Sequence, residues 1–343
     1  MEIKTFDPNQ ESAQLGIIRN ESNDFYHAVE AISNSKLAIF RKRKYLYYKK
    51  FVAKNLPEEF KKPDYFVFGG AAHCFILEGQ DAFDRQYIVE PAEAPSKPAK
   101  PRHEYVDQNK IAAATLAKLE YWEKFEIEAA GLEIISQKQF RVMQYVKWAI
   151  DRHEVATALI AEIEPELTFR VNLGWRLAQV RVDGFIESCS AELAAYLNEA
   201  YREVLCKEVM PGDSIAIDLK TCATLTKDDS GSFHKHFGEL GYYIQDQFYR
   251  EVVSAVMGRP LDHFIFIVAE KQEPFEAAVI STDPADLELA LSELKFDLEE
   301  LRKCYKDKTW FSYPQEEIIA VSIPGWHRSR AEMRLSQERS RNN

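Results

Sequence analysis

Apolar positions along this chain change period from helical to alternating spacing and back again. From Leu37 to Val52 they recur at helical spacing behind Ser33-Asn34-Ser35, which offers hydroxyl and amide side chains for an N-cap. Phe66 to Gly70 leads into the apolar stretch Ala71–Leu77, which carries His73, and Gly69 and Gly70 would let two backbones approach closely. Residues 91–102 contain four prolines and read as a loop whose order is expected to depend on a ligand. Residues 103–162 predict two or three helices, with Ile111, Leu116, Leu119 and Trp122 on one face and Val142, Val146 and Ile150 on another. From residue 166 the period shortens. Leu167–Val171 and Arg176–Phe185 predict two strands joined by a turn at 172–174. Residues 191–208 return to helical spacing, and Ser214–Leu219 is a short apolar strand ending in charge. Leu240–Met257 predicts an amphipathic helix, His263–Ala269 and Ala277–Thr282 a strand pair, and Asp283–Cys304 a long helix opened by Thr-Asp-Pro.

Strands placed between helices in this way predict an α/β fold: a mixed central β-sheet flanked by helices, with a helical N-terminal elaboration. Residues 1–30 are polar and irregular, without a motif, and form a poorly defined N-terminal segment. Residues 31–326 are expected to make one domain, mostly helical over 31–162 and built on the sheet over 163–326. Residues 327–343 read as a polar tail. The stretch 188–212 inserts a helix between two strands expected to be neighbours, where it would make an oligomer contact or shield the site.

Composition narrows the class. The chain is 46% hydrophobic and 29% charged, as in globular proteins, and no apolar run approaches the roughly 18–20 residues that span a bilayer. The first residues lack the basic and apolar regions of a secretory signal, so a cytoplasmic protein with no membrane partner is expected. Cys74, Cys189, Cys206, Cys222 and Cys304 are scattered and unpaired in spacing, which speaks against a disulfide framework or a cysteine-rich metal site. The formal charge of −11 opposes contact with a polyanion. Screening over about 8 Å makes local charge decisive, however. Residues 41–62 hold nine basic residues, Arg41, Lys42, Arg43 and Lys44 among them, against Glu58 and Glu59. Tyr45, Tyr47, Tyr48 and Phe51 interleave with them. Such a stretch suits phosphates and unstacked bases; it equally suits a solvated helix face whose aromatics pack inward.

Candidate chemistry lies in the strands. In Ile217-Asp218-Leu219-Lys220-Thr221, alternation puts Asp218 and Lys220 on one face. A carboxylate there can hold a hard cation, and an adjacent ammonium can position water or neutralise a phosphate. Arg181-Val182-Asp183-Gly184 adds a second carboxylate before a glycine that permits a turn. His73 can add an imidazole ligand, and Glu166 a further carboxylate, with Glu164 two positions away as its rival. Gln245 and Tyr249 lie one helical turn apart, where they would contact a DNA backbone or orient the lysine.

The order Gly69-x-x-x-His73, Glu166, Arg181-x-Asp183, Asp218-x-Lys220-Thr221 and Tyr243-x-Gln245-x-x-x-Tyr249 resembles the RecB-type branch of PD-(D/E)XK nucleases. Within that branch the chain is similar to the exodeoxyribonuclease VIII (RecE-like) group of phage and prophage recombination exonucleases. Ile32-Ser33-x-Ser35-x-Leu37 resembles that group's opening helix, and Phe68–Glu78 its histidine helix. Phe264–Lys271 with Pro274–Val279 resembles its following hairpin, and Trp310 with Pro324-Gly325-Trp326 its end. The resemblance implies a restriction-endonuclease-like core and digestion of linear double-stranded DNA from an end, 5′ to 3′, leaving a 3′ single-stranded tail for recombination. It implies Mg2+, with Mn2+ substituting, as one or two ions held by His73, Asp183, Asp218 and the Leu219 carbonyl. Lys220 would handle the attacking water, Glu166, Gln245 and Tyr249 would serve the site, and Ser33, Ser35, Thr221 and Tyr243 would join Gln245 and Tyr249 against DNA. A single-strand annealing protein and a ring of three or four copies are the implied partners, in a bacterial or phage-infected cell. An endonuclease or flap nuclease on the same core, and a non-catalytic DNA-binding assembly protein, are the alternatives.

Overall fold

The computed structural model describes residues 13–56, 64–107, 110–200, 208–227, 229, 231–311, 313 and 316–341. The first elements are β1 (Gly16–Ile18), α1 (Asn23–Ala28), β2 (Ala31–Ile32), α2 (Asn34–Lys42), α3 (Lys44–Tyr47), α4 (Asp64–His73), α5 (Gln80–Gln86) and β3 (Tyr87–Val89). Then come α6 (Ala113–Glu128), β4 (Glu133–Ile135), α7 (Gln137–Asp151), α8 (Glu154–Ile160), β5 (Glu164–Asn172), β6 (Leu177–Ile186) and α9 (Ala191–Ala200). The chain continues through β7 (Ile215–Cys222), α10 (Phe233–Glu239), α11 (Tyr242–Met257), β8 (His263–Glu270), β9 (Ala277–Ile280), α12 (Pro284–Asp307) and α13 (Gly325–Arg341).

The central sheet has seven strands in the order β1-β5-β6-β7-β8-β9, with β2 pairing alongside β6. The long neighbours β5, β6 and β7 run antiparallel, whereas β7 and β8 are parallel from Ile215↔His263 to Cys222↔Glu270. Parallel pairing requires a crossover, which α10 and α11 supply. Alternation then builds two cores. Ile215, Ile217 and Leu219 of β7 join Ile265 and Ile267 of β8 in one, beneath α4, α5, α7, α8 and α9. Ala216 and Cys222 join Phe264, Phe266 and Val268 in the other, beneath α2, α3, α10, α11 and α12. The expected mixed sheet between two helical layers is therefore present.

The ends of several elements follow from local chemistry. Ser136 and Gln139 form a reciprocal capping box at the start of α7. Asp283 caps α12 ahead of Pro284, as the Thr-Asp-Pro pattern predicts. Gly258, at φ 69°, closes α11 in the left-handed conformation that glycine adopts without a Cβ penalty. Asn172 accepts from the amide of Gly174 and turns the chain between β5 and β6.

Two expectations are corrected, and three segments are placed. The segment before residue 31 is not irregular from residue 16 onward: β1 extends the sheet on β5, and α1 follows. The helix expected over 37–52 breaks at Arg43, which is extended at φ −154°. The break lets Arg41 and Lys44 meet Asp297 and Glu300, one turn apart on α12. The proline-rich loop packs on α6, where the Trp122 indole donates to the Pro95 carbonyl at 3.0 Å and Arg102 pairs with Glu123. The expected helix between the neighbouring strands β6 and β7 is present as α9, whose Leu193, Ala194 and Leu197 are buried in the sheet's core. The tail is polar as its residues indicate, and its described part lies in the helix α13.

Among the described residues no helix is long and apolar enough to cross a membrane. Cys74, Cys189, Cys222 and Cys304 are free and buried, and Cys206 lies outside the described residues.

Candidate metal centre

The site forms where β5, β6 and β7 lie side by side. Asp218 and Lys220 share a face of β7, as alternation predicts, and their side chains are paired. Asp218 is only 2% exposed. Gln245 of α11 donates its amide to the other carboxylate oxygen of Asp218. Between them in sequence, the Leu219 backbone amide donates to Asp183 Oδ2 at 2.7 Å. That single bond brings the Asp183 carboxylate against the β7 residues on either side of Leu219. Asp183 does not precede a turn: β6 continues through Gly184 to Ile186. The glycine is required by packing, since a Cβ at 184 would lie 2.9 Å from Ile163 Cδ1.

His73 is the last residue of α4, where the helix widens into a π-helical turn over Cys74–Glu78. Its Nδ1 lies 3.3 Å from Asp183 Oδ2. Glu166 approaches from β5 with φ 56°, a left-handed conformation that costs a non-glycine residue of order 1–3 kcal/mol and collects at functional sites. One ligand atom from each of His73, Glu166 and Asp183 lies within 4.8 Å of the others. Two carboxylates and one imidazole fit a divalent cation that prefers oxygen and tolerates nitrogen. Asp218 is not in this set; its carboxylate is engaged by Lys220 and Gln245.

Burial and crowded charge shift the ionisable groups of the site. Burial, then the charge of Asp183, pushes the Glu166 carboxyl up to about 7 against the pull of His73 and Arg181. Burial pushes Asp218 up to about 6 despite Lys220. Burial also opposes ionisation of Asp183, but the charge and hydrogen bond of His73, with Lys220 and the Leu219 amide, hold it below its ordinary value. In turn, Asp183 outweighs the effect of burial on His73 and raises the imidazole to about 9. Burial likewise opposes the charge on Lys220, and Asp218 and Asp183 hold it above its ordinary value.

The expected residues divide into two groups. His73, Glu166, Asp183, Asp218, Leu219, Lys220, Gln245 and Tyr249 converge. Gln245 and Tyr249 both face the sheet, and Tyr249 donates to the Arg181 carbonyl at 3.1 Å, so both support the strands. The rivalry between Glu164 and Glu166 is resolved by position: Glu164 is held by Arg19 on the surface.

The remaining residues lie elsewhere. Arg41, Lys44 and Tyr243 bind acidic residues of α12. Lys42 and Arg43 are exposed at the end of α2, and Thr221 is half-buried beyond Lys220. Ser33 caps α2 and, with Ser35, Lys36 and Arg176, lines a cavity of ≈ 330 Å³. The interleaved aromatics are engaged in packing, for Tyr47 and Tyr48 stack on Trp310 and Tyr45 on Phe311. Glu58, Glu59, Lys61 and Lys62 lie outside the described residues.

Two further neighbours complete the site: Tyr242, which is not singled out from sequence, and Arg181, which opens the Arg181-x-Asp183 motif but is given no role there. The Lys220 ammonium lies 5.2 Å from the centroid of the Tyr242 ring, and Arg181 Nε lies 3.9 Å from Glu166 Oε2. Arg181 shares a strand face with Asp183, two positions on; Tyr242 carries no such signal.

Sheet order, the two helical layers and this carboxylate–lysine junction define an α/β fold of the PD-(D/E)XK type. Comparisons agree. Residues 186–317 match a family described as a PDDEXK-like domain of unknown function (DUF3799). A crystal structure from Eubacterium rectale, of a protein provisionally described as an exonuclease, superposes with a TM-score of 0.51 at 13% sequence identity. The superposition covers 89% of this chain and 97% of that one. A search of curated proteins returned no match.

Proposed function

We propose that this protein is a divalent-metal-dependent nuclease that hydrolyses phosphodiester bonds of linear double-stranded DNA, working from an end. The observation that carries the reading is the junction of His73, Glu166 and Asp183, within 4.8 Å of one another, with the buried Asp218–Lys220 pair. A bound cation, Mg2+ or Mn2+, would neutralise phosphate charge and make water a better nucleophile. His73, Glu166 and Asp183 would hold it. Lys220, charged at neutral pH, donates to the attacking water or to a phosphate oxygen and does not act as a base. Asp218, fixed by Gln245, holds the ammonium in place. Water attacks phosphorus and releases a proton to solvent, the bond from phosphorus to the 3′ oxygen breaks, and that oxygen takes up a proton from solvent.

The resemblance to exodeoxyribonuclease VIII-like enzymes supports end-directed digestion over cleavage within a duplex. It also supports a single-strand annealing protein and further copies of this chain as partners. The test is digestion of duplex DNA labelled at its 5′ or its 3′ ends, with Mg2+ present. Early loss of the 5′ label from linear DNA, with covalently closed circles spared, is the expected result. Cutting of closed circles would instead favour an endonuclease. No cutting with Mg2+ or Mn2+ would leave a DNA-binding assembly protein.

A further inference from the structure

We propose that Glu21, in the turn between β1 and α1, is a positioning residue for the metal centre, acting through Arg181 on Glu166. The inference rests on the metal-centre reading and goes beyond it, because Glu21 lies in a segment with no motif and touches none of the three ligand residues.

The Glu21 side chain is 3% exposed and faces two arginines. Its Oε1 accepts from Arg170 Nη2 at 2.8 Å, and its Oε2 lies 3.3 Å from Arg181 Nη2. The Glu21 backbone carbonyl accepts from the same Arg181 nitrogen at 2.9 Å. Arg170 is wholly buried and is otherwise held by Gln179 and by the Gln14 carbonyl. Glu21 is the carboxylate that meets both guanidinium groups.

Arg181 is fixed on every side. Its Nε donates to Thr168 at 3.1 Å, its Nη1 to Asn23 at 2.6 Å, and its guanidinium lies over the Tyr26 ring at 4.4 Å. So fastened, it places a cation 3.9 Å from Glu166 Oε2. Its carbonyl takes the Tyr249 hydroxyl, which ties the same strand position to α11.

Glu166 needs such support. It is held in a left-handed backbone conformation, and like charge on Asp183 repels it. A fixed guanidinium holds the carboxylate towards Asp183 and His73 before a cation arrives. Without Glu21, the buried Arg170 and the largely enclosed Arg181 lose their shared counter-charge, and Arg181 loses one restraint against turning towards solvent or claiming Glu166 outright. Either change takes the carboxylate out of the cluster. Partners one step removed from metal ligands commonly change metal affinity by about 10–100-fold.

The experiment measures binding of Mn2+ alone to the full-length protein by calorimetry, with thermal melts on the same samples. Glu21→Gln keeps the shape and removes the charge. It is expected to fold and to bind Mn2+ about 10-fold more weakly or worse, with Glu21→Asp recovering part of the loss. Glu164→Gln, which breaks only the surface pair with Arg19, is the control for a general change of charge and should bind as the parent does. A Glu21→Gln variant that melts earlier yet binds Mn2+ like the parent has a structural role only, and overturns the proposal. Equal weakening by Glu164→Gln overturns it as well. If Glu21→Gln does not fold, Asn23→Ala removes one exposed Arg181 partner and carries the test, with unchanged affinity as the overturning result. A parent that binds no Mn2+ defeats the metal reading itself, whereas a parent that binds beside equal variants defeats this inference alone.

Discussion

Asp183 accepts the backbone amide of Leu219 at 2.7 Å, across the junction of β6 and β7. The donor lies between Asp218 and Lys220, so one hydrogen bond sets the register of an acidic strand against a strand bearing an acid and an amine. Its acceptor oxygen also faces His73 at 3.3 Å. Geometry at this oxygen therefore joins the two halves of the site, the metal-ligand trio and the Asp218–Lys220 pair.

The lysine should be indispensable to chemistry and dispensable to folding. Lys220→Ala is expected to lower cleavage of linear duplex DNA with Mg2+ by about 10³-fold or more, by removing a preorganised cation at the reacting phosphate. Gel analysis of end-labelled DNA measures this, and a circular dichroism spectrum like the parent's shows the fold retained. A variant as active as the parent would defeat the mechanism.

Loss of a ligand should appear without any DNA present. Glu166→Gln is expected to weaken Mn2+ binding by at least about 10-fold, since a neutral amide replaces a charged ligand. Calorimetry reads the affinity directly, and an unchanged isotherm would remove Glu166 from the ligand set.

The metal-free protein should show a signature of the His73–Asp183 pair in its pH dependence. The imidazole is raised from 6.5 to about 9 in the fold. Its contribution to stability is therefore complete below about pH 6.5 and fades as pH rises through 9. Asp183 is shifted the other way, so its share is present above the ordinary value of 3.8 and is lost as acid protonates it. Thermal melts in a chelator, comparing the parent with His73→Gln, should differ most between about pH 4 and 6.5 and converge towards pH 9. A gap that stays constant from pH 6 to 9 would contradict the assignment.

The sheet's second core should respond as a close-packed interior. Phe169 is fully buried, edge-on to Phe185 with ring centroids 5.0 Å apart. Phe169→Ala is expected to cost about 3–5 kcal/mol in urea denaturation. A loss under 1 kcal/mol would mean that β5 packs more loosely than its burial implies.

Much of this was legible in the residues themselves. β7 and β8 announce themselves because alternate positions serve two different cores, and Asp218 and Lys220 interrupt one of those two faces. The histidine, the two aspartates and the lysine each have an ordinary structural explanation alone, and stood out because their order and spacing resemble the nuclease motif series. Other features leave no local trace. Glu21 meets Arg170 across 149 positions of chain, and no period connects them. Gly184 looked like a turn residue because sequence cannot express the approach of Ile163. The basic stretch looked open to phosphates because Asp297 and Glu300, which engage Arg41 and Lys44, lie more than 250 positions away.

β1 and α1 have a practical consequence for anyone who trims this protein. The first motif that resembles the nuclease family opens at Ile32, so a fragment drawn from motifs alone would start near residue 31. Such a fragment would carry every proposed ligand and the lysine, yet leave Arg170 enclosed without its acid and bare the hydrogen-bonding edge of β5. An inactive or aggregating short form would then report on the missing residues and not on the chemistry.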